Sequence, residues 1–225
     1  MALILSIDTA TTTGSVSLAR DGKALQTLVN EQQQDHAAAM VLYVQQVLRE
    51  QGVTAADLDA VAVSAGPGSY TGLRVGVATA KGLCYAWNKP LLAVPTLQMM
   101  AQGAMAGIQD ENAWYCPMLD ARRQEVFTAI YDASLQPVMA PQALILEPAS
   151  LDAWLVQKKV YFFGNGSPKW AAMLPSIDNA VFVPYEMNAA DMAPLAEQLF
   201  HRKSFADLAY FSPFYLKGFY FPQKS

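Results

Sequence analysis

One pattern, a strand that ends in an acid, a tight polar turn and an alternating strand, occurs twice in this chain and restricts its fold more than any other feature. Residues 7 to 22 read IDTATTTGSVSLARDG and residues 119 to 134 read LDARRQEVFTAIYDAS. Asp8 precedes Asp21 by thirteen positions and Asp120 precedes Asp132 by twelve, so the pattern recurs nearly in register although few identities repeat. Two unrelated hairpins are the competing explanation.

The elements around the first copy follow from periodicity. Residues 2 to 7 are a short apolar run, 14 to 20 alternate, and Asp21-Gly22 is a hairpin turn signal leading into a third strand, KALQTLVN. Met40, Val41, Val44, Val47 and Leu48 fall at helical spacing within 36 to 51, and Gly52 supplies the usual helix stop. A strand at 60 to 65, a helix over about 70 to 87, a strand at 91 to 94 and a helix opening at Pro95 complete the half. Three strands followed by alternating helices and strands is the order of a ribonuclease H-like layer, a mixed sheet with crossover helices. The second copy opens a second such layer. It continues with an extended stretch (PVMAPQALIL), a short helix near 150 to 157, the strand VYFFG, a helix near 168 to 174, a strand near 180 to 183 and a helix around 191 to 202. These pieces predict an α/β protein of two ribonuclease H-like lobes with mixed sheets, the second lobe shortened. The stretch from Gly103 to Asn112 loses periodicity and places the boundary, giving lobes 1–108 and 109–225.

A chain of 225 residues with 53% hydrophobic and 15% charged residues has enough apolar material for a sizeable core and fewer charges than an ordinary soluble surface. Some apolar surface is therefore expected to meet a partner. The net charge of -4 denies the chain the basic field that draws proteins to nucleic acid, and the doublets Arg122-Arg123, Lys158-Lys159 and Arg202-Lys203 read as solvated surface. Cys84 and Cys116 sit in apolar segments and read as buried, reduced thiols. MALILSIDTA lacks a basic region and meets an acid early, so it reads as a strand, and no apolar run approaches the length of a membrane span. A cytoplasmic protein is expected.

The loop GPGSYTGLR (66 to 74) looks like a ligand grip and fails each test for one. A P-loop needs Gly-Lys-Ser/Thr where Gly72 is followed by Leu73 and Arg74; the dinucleotide fingerprint needs glycine where Thr71 stands; a nucleophile elbow needs glycines where Ser69 has Pro67 and Thr71. What remains is a sharp strand exit with Ser69 as helix N-cap. The helix that follows is apolar on nearly every side, and Gly72, Gly76 and Ala80 recur every four residues as a smooth ridge that lets another backbone approach. Close packing against its own sheet and a face for a partner are equally compatible with that ridge.

Catalytic chemistry is sparse. A ribonuclease H-like nuclease groups carboxylates from several strands around a metal. Here Asp8 stands alone, the fourth strand ends in Ser64 and Ala65, and Glu50 lies at the far end of its helix. Neither His36 nor His201 has a second histidine at helical spacing, so no metal site is expected. A Ser69–His36 hydrolytic pair has no supporting spacing. The turn formed by Asp8, Thr9, Thr11, Thr12 and Thr13 can cradle phosphate through its amides, and Gly164-Asn165-Gly166 can lie near a base; turn chemistry accounts for both equally well.

IDTATTTGSVSL, SAGPGSYTGLRVGVATAKGL and LDARRQEVFTAIY, with PFYLKG at 213 to 218, resemble the signatures of the TsaB (YeaZ) family, the smaller relatives of the tRNA threonylcarbamoyl transferase TsaD. The resemblance covers most of residues 3 to 131 and part of the tail. It implies an ASKHA fold of two ribonuclease H-like lobes and a non-catalytic platform role beside TsaD and the ATPase TsaE, in the complex that forms N6-threonylcarbamoyladenosine next to the anticodon of tRNAs reading codons that begin with A. It implies no cofactor of the chain's own, any ATP belonging to the assembled complex, and contact with tRNA only through that complex. The partner face it implies is built on the helices opening at His36 and Tyr70: His36, Met40, Tyr43, Val44, Val47, Tyr70, Gly72, Leu73, Gly76, Thr79, Ala80 and Leu83. The same face would pair with itself in a homodimer when the chain is alone. Asp8, Thr9, Thr11 and Thr12 would be a vestigial nucleotide loop. Two other readings stay open at this level: an ASKHA-type small-molecule kinase, and a peptidase, after an older glycoprotease label of relatives.

Overall fold

The computed structural model describes residues 2–30, 36–174 and 177–217. Its frame is two five-stranded sheets of the same connectivity. The first contains β1 (Leu3–Asp8), β2 (Gly14–Arg20), β3 (Lys23–Asn30), β4 (Ala60–Ser64) and β5 (Leu91–Val94) in the order β3-β2-β1-β4-β5. The second contains β6 (Trp114–Asp120), β7 (Glu125–Tyr131), β8 (Pro137–Ile145), β9 (Val160–Phe163) and β10 (Ala180–Phe182) in the order β8-β7-β6-β9-β10. β1 runs antiparallel to β2 and parallel to β4, and β6 runs antiparallel to β7 and parallel to β9. The sequence repeat is thus a repeat of topology, with Asp8 and Asp120 closing equivalent central strands.

Period-two alternation assigns the faces. Leu3, Leu5 and Ile7 of β1 and Val61 and Val63 of β4 pack with α1 (His36–Glu50) and α2 (Tyr70–Trp87) in one apolar cluster, while Ile4, Ala60 and Ala62 turn the other way. Small residues on that inner face let helices approach closely. α3 (Thr96–Ile108) follows β5 of the first sheet yet lies on β6 and β7 of the second, and α6 (Ala193–His201) ends the second half yet lies on β5 and β1 of the first. The two sheets therefore enclose one shared core, in which Ile4, Ala62 and Leu92 meet Tyr115, Leu119 and Phe163. The outer face of the second sheet carries only short helices, α4 (Asp152–Leu155) and α5 (Ser167–Ala171), over Cys116, Val126, Ile130 and Phe162.

Local signals act as their chemistry dictates. Asp21 and Gly22 take positive φ in the two-residue turn that pairs Arg20 with Lys23. Ser69 caps α2, its hydroxyl accepting the Gly72 amide at 3.2 Å, after a cis Gly66–Pro67 bond. The shortening expected of the second lobe falls on its helices, its sheet keeping five strands. The helix expected over 191 to 202 divides into a 3-10 turn (Ala189–Met192) and α6, because Pro194 has no amide to donate and fits only a first helical turn. No helix among the described residues is long and apolar enough to cross a membrane.

Candidate functional site

The turn after β1 is closed by bonds within the chain. Thr9 donates its hydroxyl to the Gly72 carbonyl at 2.7 Å, the Ala10 carbonyl accepts the Ser69 amide at 2.7 Å, and the Ala10 amide donates to Asp8 Oδ1 at 3.0 Å. The Thr9 amide reaches Ser64 Oγ at 3.4 Å, and Thr11 and Thr13 bond each other. Amides that would wrap a phosphate at such a turn are thereby engaged at Thr9 and Ala10. Asp8 itself is fully buried; desolvation pushes its carboxyl up to about 6 against the opposing hydrogen bonds of Ala10 and Ser64.

The equivalent turn after β6 is held from outside by side chains. Asn165 Oδ1 accepts the Asp120 amide at 2.9 Å, and Lys169 of α5 donates to Asp120 Oδ1 and to the Arg123 carbonyl, each at 2.6 Å. Partial burial pushes the Asp120 carboxyl up, and Lys169 and the Arg122 amide outweigh it, leaving the group below the usual carboxylate range. Arg122 and Arg123 both hold positive φ.

Between the turns lies a cleft of about 490 Å³, lined among others by Thr12, Thr13, Met100, Asn165, Asn188 and Glu186. Asn165 and the threonine turn line it together. Tyr185 and Asn188, also at this cleft, were not identified beforehand: they sit in an aperiodic stretch and carry no local signal.

The glycine ridge of α2 faces inward. A side-chain carbon on Gly72 would strike the Thr9 carbonyl oxygen, and one on Gly76 would strike Thr9 Oγ1. Ala80 is buried in the cluster of Leu5 and Val63. An outward ridge is therefore corrected: its small residues let α2 lie against the β1 turn, and Gly72, Gly76 and Ala80 do not form surface. Met40, Val44, Val47 and Leu73 are likewise core residues. Tyr43, Tyr70, Thr79 and Leu83 are half-buried, and the side chain of His36 lies outside the described residues.

The outward stripe is a neighbouring one. α1 packs beside α2, and their solvent sides carry Val41, Leu42, Ala78, Gly82 and Tyr85, with Leu42 61% and Tyr85 84% exposed. On α2 it lies two positions on from the ridge of Gly72, Gly76 and Ala80, on nearly the opposite side of the helix. The chain's end borders the same helix. Ala206 bridges to Leu91 of β5, Lys81 donates to the carbonyls of Ala209 and Phe211, and the Phe214 amide bonds the Ala65 carbonyl. Tyr215 packs on Tyr70 with tilted rings whose centres are 5.1 Å apart and accepts from Arg74, which lies 4.1 Å over the Tyr70 ring, before Lys217 reaches Glu125 on the second lobe. Residues 206 to 217 thus form a strap along α2.

Both cysteines are buried free thiols, Cys84 pushed up to about 11 and Cys116 to about 12 by burial, which keeps them protonated and unreactive.

Comparison with known proteins agrees with this geometry. A family model described as TsaD, tRNA N6-adenosine threonylcarbamoyltransferase, matches residues 25–199. The tRNA threonylcarbamoyladenosine biosynthesis protein TsaB of Escherichia coli (strain K12) is 30% identical over 96% of this chain and 94% of its own length. The chain belongs to the TsaB (YeaZ) family. Two solved Pseudomonas aeruginosa structures extend the likeness to three dimensions. YeaZ superposes with a TM-score of 0.81 at 28% identity, and a protein described as similar to peptidase YeaZ superposes with 0.85 at 27%; each match covers 96% of this chain and all of the other. The fold is accordingly α/β of the ASKHA kind, with two ribonuclease H-like lobes.

Proposed function

We propose that the chain is a non-catalytic platform subunit in tRNA threonylcarbamoyladenosine formation, acting by binding a TsaD-like transferase and, in the assembled complex, a TsaE-like ATPase. The observation that carries this reading is the β1 turn: its Thr9 and Ala10 amides and the Asp8 carboxyl are engaged within the chain and packed beneath α2, while the helices beside it expose Leu42 and Tyr85. The turn serves as a packing block beneath α2. The outer stripes of α1 and α2 serve as the face for the transferase, and in its absence for a second copy, since one patch can pair with itself about a two-fold axis. Such a face is compatible with an interface of ordinary size, about 1,600 Å² in total. tRNA is met through the complex, consistent with a net charge of -4, and ATP is bound by the complex rather than by this chain.

The test uses the purified chain alone and with a TsaD-like protein, measuring the mass of each assembly and tRNA threonylcarbamoylation with and without it. Modification that requires the chain, and loss of both binding and modification in Leu42→Glu and Tyr85→Glu with unchanged melting, is the expected result. Magnesium-dependent ATP turnover by the chain alone, abolished in Asp8→Asn, would replace the platform by a kinase.

A further inference from the structure

Asp8 is an acid kept in an expensive place. Its carboxyl is fully buried beside the Ser64 hydroxyl, Oδ1 accepts the Ala10 amide, and among the described residues Oδ2 has no donor in hydrogen-bond geometry. An ionised carboxylate so placed is strongly disfavoured unless a cation faces it. Among the described residues the charge that acts on it is a second acid, Asp191, from the 3-10 turn that packs on β1 and β2. Asp191 is itself largely enclosed: Tyr185 donates its hydroxyl at 2.6 Å and the Asn188 amide donates at 3.1 Å. α3 leaves space for both side chains by having no side chain at Gly103, where a Cβ would stand 2.5 Å from Asp191 and 2.7 Å from the Tyr185 hydroxyl. The Ala189 amide fastens the segment to the first sheet through Ser15 Oγ at 2.9 Å. Residues 185 to 188 form one wall of the cleft.

We propose that Asp8 and Asp191 form a proton-linked latch between the lobes: while Asp8 is protonated, residues 185 to 192 lie closed on β1 and β2, and its ionisation drives them outward and opens the cleft wall. The groups that face Asp8 are Asp191 and Tyr185 on the latch, the neutral Ser64 hydroxyl from β4, and the amides of Thr9 and Ala10 from its own turn. Burial raises all three titratable members, Asp8 to about 6, with Asp191 and Tyr185 above their ordinary ranges. The sign follows from linkage. The closed form holds its proton more tightly than the open, solvated one, so closure is complete below the ordinary carboxylate value of 3.8 and weakens as pH rises through about 6. Between pH 5 and pH 8 the opening equilibrium grows about tenfold.

Hydrogen exchange of the full chain, read by mass spectrometry at pH 5, 6, 7 and 8 and corrected for intrinsic rates, tests this. Peptides covering 185 to 192 should open about tenfold more at pH 8 than at pH 5 in the wild type, while those covering β6 and β7 keep their protection. In Asp8→Asn the dependence should vanish, and in Asp191→Asn, a second variant should the first fail to fold, it should shrink. A segment whose protection ignores pH, a dependence retained in Asp8→Asn or undiminished in Asp191→Asn, or a shift shared by every peptide would each overturn the latch. None of these readouts involves a partner, so the outcome is independent of the platform reading.

Discussion

The same acid closes the central strand of each lobe, and the two copies have been given opposite surroundings. Asp8 is sealed beneath a helix whose glycines bring backbone against Thr9, and no counter-charge faces it among the described residues; Asp120 lies at the surface with Lys169 2.6 Å away. The first turn is held by the bonds of Asp8, Thr9 and Ala10 within a buried seat beneath α2, the second by Asn165 and Lys169 reaching it from outside. The difference teaches that a repeated motif need not keep a repeated role: one copy has become a packing block with a strained charge, the other an ordinary solvated ion pair.

Titration should separate them most. Asp8 has a folded value of about 6 against an ordinary 3.8, so its contribution is full below pH 3.8 and is lost as pH rises through 6, amounting to about 3 kcal/mol by pH 8. Urea unfolding at pH 4, 6 and 8 should show that fall in the wild type and a flatter profile in Asp8→Asn; parallel profiles would erase the contrast. Shape comes next. Gly76→Ala should cost about 2 kcal/mol through the clash with Thr9 Oγ1, whereas Gly82→Ala, with open space around it on the same helix, should be neutral or slightly stabilising. Equal effects of the two in thermal unfolding would mean that α2 does not rest on the turn. For the second turn, Asn165→Ala removes the acceptor of the Asp120 amide and should cost about 1 kcal/mol, measured the same way. The smallest effect belongs to Lys169→Met, about 0.5 kcal/mol at neutral pH, since the Asp120 side chain is 38% exposed and its pairing is screened. Because Asp120 lies below its ordinary value, that contribution is present above it and disappears as pH falls. A loss well above 1 kcal/mol would show the second turn to be as dependent on its charge as the first.

How much of this could be read from residues alone depended on whether the signal was local. Asp21-Gly22, the Ser69 cap and the Gly52 helix stop act over a few residues and are visible as such. The repeat of strand, acid and turn correctly foretold two sheets of one connectivity. The ridge of Gly72, Gly76 and Ala80 showed that something would approach α2 closely but not what, because small residues at helical spacing admit the chain's own turn as readily as a partner. Chain order also suggested that each helix belongs to the sheet beside it in sequence, and α3 and α6 exchange sheets instead, a tertiary choice with no local mark. Asp191 and Tyr185 meet Asp8 only because the chain returns from its far end, so the latch at the candidate site was illegible for the same reason.

The strap and α6 also bear on how the protein comes into being. The first sheet leaves the ribosome before the second, yet its inner face is covered by α6 and its β5 edge, α2 and Ala65 receive residues 206 to 217, the last described stretch of the chain. The lobe made first is therefore completed last. A nascent chain that has not yet emerged beyond residue 206 lacks this cover, so the helix that carries the proposed docking face gains its flank only after the strands of both sheets have been made.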